Sequence, residues 1–216
     1  MLPRPNLPHL LEPFGLALSS DQEDCLVAYL GLLLRWSSRI NLTATGNAEE
    51  CVTRHFGESL YLTRWIDLHG QLLDIGSGAG FPGLALKIVA PELAVTLLEP
   101  VAKKRAFLKE VARTCKMHSV DVRGDRLEDF SRSRTHPQFD VVTARAVGRL
   151  ARLAEIASQC LKPAGHLCLW VSHDQQDELQ TPHSVLEWGT PIPIPMSRQR
   201  EIWIGTKTRT PRRNLA

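Results

Sequence analysis

The chain has 216 residues, 43% hydrophobic and 23% charged, with a net charge of +3. That length suits one domain with an appendage and excludes a disordered chain. Its longest apolar stretches, such as Tyr29 to Leu34, fall far short of the roughly 20 residues of a membrane span.

Pro3, Pro5, Pro8 and Pro13 interrupt any signal-peptide core, so a cytoplasmic location without membrane contact is expected. Cys25, Cys51, Cys115, Cys160 and Cys168 are odd in number and form no C-x-x-C pair. That opposes a disulfide framework or zinc ribbon and fits a reduced compartment. Charge is uneven: residues 1–100 carry −5, 101–149 carry +6, 150–197 carry −3 and 198–216 carry +5. Two basic segments on a near-neutral body suit either a polyanion partner or solvated surface.

Residues 1–70 read as a helical extension. Ser20 with Glu23 predicts a capping box, followed by Leu26, Leu30, Leu33 and Trp36 at helical spacing. A polar break through Asn41, Thr43, Thr45 and Gly46 precedes a second start at Asn47 with Glu50. Val52, Phe56, Leu60 and Ile66 face one way, and Gly70 closes this helix. From residue 71 to 206 strands and helices alternate. Strands are predicted over Leu72–Ile75, Ala94–Leu98, Val120–Arg123, Phe139–Thr143 and His166–Val171, with helices over Leu84–Ala90, Val101–Cys115 and Arg149–Leu161. This predicts an α/β fold with a mostly parallel sheet and helices on both faces. Ser184–Trp188 and Glu201–Gly205, joined by the proline-rich Thr190–Met196, predict an antiparallel hairpin at one edge. Residues 207–216 read as a basic tail.

The informative stretch is LLDIGSGAGFPG, Leu72 to Gly83. A strand runs into Gly76, Gly78, Gly80 and Gly83 and then into a helix whose free N–H groups suit a polar ligand. Gly78, Gly80 and Gly83 match the dinucleotide fingerprint, and Glu99 lies where an acid would hold a ribose. Asp74 separates the cofactors: a pyrophosphate beside it is repelled, whereas the ammonium and sulfonium of S-adenosylmethionine are attracted. The plainer readings are that Asp74 caps the loop, that Glu99 is an N-cap-like acid before the next helix, and that Phe81 buries against the sheet instead of covering a ligand.

Arg145, after the fourth strand, belongs at the mouth of an open α/β site, facing a base edge or phosphate, or else in a surface ion pair. Arg54, His55, Lys103, Lys104 and Arg105 are candidate RNA contacts or plain surface. The histidines and cysteines show no metal-ligand spacing, so no metal is expected. The chain lacks a Pro-Cys nucleophile and an N/D-P-P-Y/F box. A ring nitrogen such as guanine N7 fits that lack, because its in-plane lone pair carries no proton and needs an in-line approach instead of a base.

RWSSRINLT (Arg35 to Thr43), RHFGESL (Arg54 to Leu60), LLDIGSGAGFPG, KKRAFL (Lys103 to Leu108), DRLEDF (Asp125 to Phe130) and ARAV (Ala144 to Val147) occur in that order. Together they resemble the bacterial 16S ribosomal RNA guanine-N7 methyltransferase family, also called glucose-inhibited division protein B or methyltransferase G. The resemblance covers roughly residues 20–180. It implies a class I Rossmann-like methyltransferase, monomeric, using S-adenosylmethionine on guanine 527 of 16S RNA in the small subunit or an assembly intermediate. The family's cofactor contacts fall on Gly76, Phe81, Leu127, Glu128 and Arg145, the last also the catalytic candidate; Asp74, Gly78 and Glu99 come from the residue reading above. The chain departs from the family at Ser37, where Asn is usual, at Glu58, where Asp is, and at Val171–Ser172 in place of Lys-Gly. The alternatives are a methyltransferase for another RNA site or a small molecule, and a non-catalytic RNA-binding or assembly protein of the same fold.

Overall fold

A computed structural model describes residues 4–43, 47–133, 137–179 and 185–208. Thr45, Gly46, Ser184 and almost all of the basic tail lie outside these residues. The chain opens with α1 (Leu7–Leu11), a 3-10 turn (Glu12–Phe14) and α2 (Ser20–Ser37). The capping box is one residue earlier than the sequence suggests: Ser19 Oγ accepts from the Gln22 N–H, and Gln22 Oε1 accepts from the Ser19 N–H at 2.9 Å. Glu23 instead pairs with Arg4.

The second N-terminal helix is not regular. It begins as α3 (Ala48–Cys51), widens into a π-helical turn (Val52–Gly57), continues as α4 (Glu58–Leu60) and ends as a 3-10 turn (Tyr61–Arg64), well before Gly70. Burial overrides the 3.6-residue period here. Every residue from Phe56 to Leu60 is buried, and Gly57 lies so close to the Phe14 ring that a Cβ would approach it to 2.5 Å. Such turns recur at functional sites because they redirect carbonyls and side chains.

The core follows as β1 (Gln71–Ile75), α5 (Gly83–Val89), β2 (Ala94–Leu98), α6 (Ala102–Thr114), β3 (Val120–Arg123), α7 (Leu127–Arg132), β4 (Phe139–Arg145), α8 (Leu150–Cys160), β5 (Leu161–Ser172), β6 (Leu186–Trp188), β7 (Ile192–Pro193) and β8 (Arg200–Lys207). The strand order is β3-β2-β1-β4-β5-β8-β6, with β7 beside β8. The first five strands run parallel, and β8 is antiparallel to β5 and β6. α1, α7, β7 and the 3-10 segment His173–Leu179 are additions to the sequence reading, and Arg145 ends β4 instead of following it.

Side chains alternate across β1. Leu72 packs with α2, α5 and α6, and Leu73 and Ile75 pack with α7 and α8. Leu7, Leu11, Phe14, Tyr29 and Phe56 join Leu84 and Leu108 in one continuous core, so the N-terminal extension is built onto the first of these faces. Among the described residues no helix is long and apolar enough to cross a membrane.

Candidate active site

The loop from Gly76 to Pro82 lies at the carboxyl end of β1, next to the point where β1 and β4 pair and the strand order reverses. Ligands of open α/β sheets sit at such a point. The Ser77 N–H donates to the Leu98 carbonyl at 3.0 Å. From the other side, the Tyr29 hydroxyl of α2 donates to the Ala79 carbonyl. Gly80 holds a left-handed φ of 88°, and a Cβ there would lie 2.3 Å from the Tyr29 oxygen, so both backbone and packing demand glycine. Phe81 stacks with Tyr29 at 5.4 Å and with His55 at 5.1 Å, and Phe56 meets it edge-on at 4.9 Å.

Two cavities adjoin this loop and share Gly76. The first, about 350 Å³, is lined by Ile75, Leu98, Leu127, Glu128, Val147 and Ile156 among others. The second, about 460 Å³, is lined by Ser77, Gly78, Phe81, Arg54, His55, Lys104, Arg145, Trp170 and Arg200 among others. Among the described residues no carboxylate lines the second cavity.

Arg145 is not an open arm at the cavity mouth. Its guanidinium donates to Glu58 Oε2 at 2.9 Å, to the Arg54 carbonyl at 2.6 Å and to Ser59 Oγ at 3.3 Å. The π-helical turn presents those groups to it. Glu58 also takes Arg200 through both carboxylate oxygens, at 3.1 and 2.5 Å. Burial lowers the Arg145 pKa to about 10 against the opposing pull of Glu58, so it stays charged at neutral pH.

Several of the expected contact residues are committed to partners within the protein. Asp74 is fully buried and lines neither cavity. Its Oδ1 accepts from the Thr143 hydroxyl at 2.8 Å, and its Oδ2 lies against Gly83 without completing a hydrogen bond. Burial raises its pKa to about 6, with the Thr143 and Ser77 hydroxyls working against the rise. The carboxylate is bonded to Thr143 of β4 and packs against Gly83 at the start of α5. Glu99 also lines neither cavity: Oε2 accepts the Gly78 N–H at 2.9 Å and Oε1 the Val101 N–H at 2.8 Å. Glu99 thus sits as the acid before α6 while also holding the glycine loop, whereas the Asp74 carboxylate bonds Thr143 of β4 and not the loop backbone.

On the RNA side, Nη1 of Arg105 donates to the carbonyls of Glu99 and Pro100, which ties this guanidinium to the turn after β2. Burial, followed by the charge of Arg145, lowers the His55 pKa to about 3. A neutral imidazole neutralises no phosphate. Arg54 pairs with Glu50 at 2.6 Å yet still lines the second cavity, as Lys104 does, and Lys103 is exposed. Tyr29 and Thr143 were missed by sequence reasoning, and Arg200 was expected only as one charge of the basic stretch from Arg198 to Arg213. Arg200 carries no local motif, and only the antiparallel pairing of β8 with β5 brings it to the site.

A family model described as rRNA small subunit methyltransferase G matches residues 22–190. The chain belongs to that family. The methyltransferase G of Roseiflexus sp. (strain RS-1) is 42% identical over 176 residues, covering 81% of this chain and 75% of that protein. The methyltransferase G of Oceanobacillus iheyensis is 31% identical over 217 residues, covering 95% and 91%. Among solved structures, a ribosomal protein L11 methylase from Lactobacillus delbrueckii subsp. bulgaricus superposes with a TM-score of 0.59 at 12% identity, covering 72% of this chain and 79% of that one. An S-adenosylmethionine-dependent methyltransferase from Aquifex aeolicus gives 0.58 at 12%, covering 74% and 93%. These two likenesses show the shared methyltransferase fold, in which β8 of this chain runs antiparallel between β5 and β6.

Proposed function

We propose that this methyltransferase G family member transfers a methyl group from S-adenosylmethionine to N7 of a guanine in 16S ribosomal RNA, at the position 527 that the family resemblance implies. The observation that carries the choice of atom is the lining of the second cavity, with four cations and no carboxylate. Its one histidine, His55, is held near pKa 3 and is too weak to act as a general base at neutral pH. Such a lining suits an acceptor that already presents a lone pair and belongs to a polyanion.

The first cavity fits the adenosine part of the cofactor. Leu98, Leu127 and Ile156 offer apolar walls for the adenine ring, Glu128 stands at the rim, and Gly76 opens bare backbone to both cavities. S-adenosylmethionine, when bound, supplies a methyl group on an electrophilic sulfonium. Glu99 and Tyr29 hold the glycine loop in shape from opposite sides. Arg54, Lys104 and Arg200 would meet the RNA backbone, and Arg145 would orient the base by its planar fork. The test is to map N7-methylguanine in 16S RNA from cells with and without this chain, and in small subunits treated with the purified protein and cofactor. Methylation at one guanine only when the active chain is present supports the reading. An unchanged methylation map in both settings removes it.

A further inference from the structure

Five cysteines divide into two classes by position. Cys51, Cys160 and Cys168 are completely buried. Burial pushes the thiols of Cys51 and Cys160 up to about 11 and that of Cys168 up further, which makes them inert. Cys25 and Cys115 are only partly buried and meet across the junction of two elements. Cys25 lies in the second turn of α2, and Cys115 caps the end of α6. The Cys115 Sγ is 3.4 Å from the Cys25 carbonyl oxygen, to which its thiol donates across the α2–α6 junction. Both line one cavity of about 480 Å³ with Lys116, His118 and Glu92, so a small reagent reaches both sulfurs.

We infer that Cys25 and Cys115 are a modification site: they form a reversible disulfide by exchange with a small-molecule disulfide of the glutathione class. The neighbouring Cys115 holds the Cys25 pKa below the ordinary thiol value, outweighing burial, so Cys25 is the attacking thiolate. It attacks one sulfur of the small disulfide, whose S–S bond breaks. One thiol leaves with the electron pair and takes up the proton that Cys25 lost. Cys115, deprotonated, then displaces the second small thiol from the Cys25 sulfur. The two cysteines together lose two electrons and two protons, and the small disulfide becomes two thiols.

The bond closes a segment between positions 90 residues apart and ties the N-terminal extension to the α/β core. Tyr29, one turn beyond Cys25 on α2, is the residue that holds the Ala79 carbonyl, so the bond fastens the helix that braces the glycine loop. The inference does not depend on the substrate of the enzyme.

The full chain is incubated in buffers of graded glutathione disulfide and glutathione, quenched, and its thiols counted in denaturant. The expected result is a fall from five thiols to three, with a non-reducing digest joining the Cys25 and Cys115 peptides at a mass two hydrogens below their sum. Dithiothreitol should restore five. Cys115→Ser should instead trap one glutathione on Cys25. Five thiols persisting in excess glutathione disulfide, or two separate glutathione adducts with no joined peptide in the unsubstituted chain, would overturn the inference.

Discussion

Arg145 and Glu58, 87 positions apart, form an ion pair at 2.9 Å with side chains only 12% and 3% exposed. The pair joins the end of β4 to the N-terminal extension, and Arg200 from β8 completes it at 2.5 Å. One carboxylate therefore fixes two of the three guanidiniums that line the second cavity. Removing its charge leaves both facing a neutral amide in a poorly hydrated place. Glu58→Gln should cost about 3 kcal/mol, the low end for breaking a buried pair because Arg200 is a quarter exposed. Urea unfolding measures this. Glu58→Asp, which restores the residue usual in the family, should keep most of the stability. A Gln variant as stable as the parent would show that the arginines find other partners.

The two acids beside the glycine loop are expected to behave differently from each other. Glu99 binds the Gly78 and Val101 amides with its two oxygens, so Glu99→Gln places a donor against one of those N–H groups and loosens the loop. Asp74 faces Thr143 and Gly83 below the loop. Asp74→Asn should change S-adenosylmethionine affinity by less than about fivefold, under 1 kcal/mol, and Glu99→Gln by more. Calorimetric titration with the cofactor decides the order, and a larger loss in the Asp74 variant would reverse it.

The glycine loop was legible because glycine spacing and the strand-to-helix change are local signals. The position of Asp74 was legible in principle as well. Alternation along β1 puts residue 74 on the face of Leu72, toward α5, whereas Ile75 lies on the other face and lines the first cavity. The charge argument for Asp74 ignored that period. The π-helical turn over Val52–Gly57 has no local signature; it follows from burial against Phe14 and from the demand of Arg145 for carbonyls. α7 is only six residues long, too short for periodicity to announce it. Arg200 was legible only as one charge of the basic stretch from Arg198, because its partner Glu58 lies 142 positions away.

The basic segment after β2 divides into free and committed cations. Lys103 is exposed and Lys104 lines the second cavity, while Arg105 serves carbonyls. Replacing Lys103 and Lys104 by Ala should weaken RNA binding and reduce the slope of log K against log salt by about 1.4, at roughly 0.7 per phosphate contact on single-stranded RNA. Arg105→Ala should leave that slope unchanged. Filter binding of 16S RNA fragments over a salt series distinguishes these outcomes. An equal fall in slope for Arg105→Ala would mean that its carbonyl bonds are exchanged for phosphate in the complex.

His55 and Asp74 pull acid stability in opposite directions. The His55 pKa is about 3 when folded against an unfolded 6.5, so the unfolded chain holds more protons between these values and stability falls as pH falls. Asp74 is raised from 3.8 to about 6, so the folded chain holds more protons there and stability rises as pH falls. His55→Gln removes only the first effect. Relative to the parent, it should gain up to about 1.4 kcal/mol per pH unit below pH 6.5, whatever it loses in stacking on Phe81 at neutral pH. Urea unfolding at pH 7, 6 and 5 tests the slope. A constant difference between the two proteins would mean that His55 titrates normally.

The same histidine also tests the chemistry. A base catalyst at this site would have to be His55, because the other titratable side chains lining the second cavity are Arg54, Lys104, Arg145 and Arg200, all cationic at neutral pH. If the acceptor is a guanine N7, no proton leaves before methyl transfer, and the single-turnover rate at saturating substrates should be flat between about pH 6 and 8. Protonation of His55, near pH 3, falls outside that range. His55→Gln should therefore keep a flat profile even if its rate changes through Phe81. Arg145→Lys keeps the charge but gives up the fork that now reaches Arg54, Ser59 and Glu58 together, so it should slow transfer by about tenfold or more without bending the profile. A rising limb near neutral pH that disappears in His55→Gln, with full activity in Arg145→Lys, would mean a protonated acceptor and a histidine base. The acceptor would then have to be an atom other than N7.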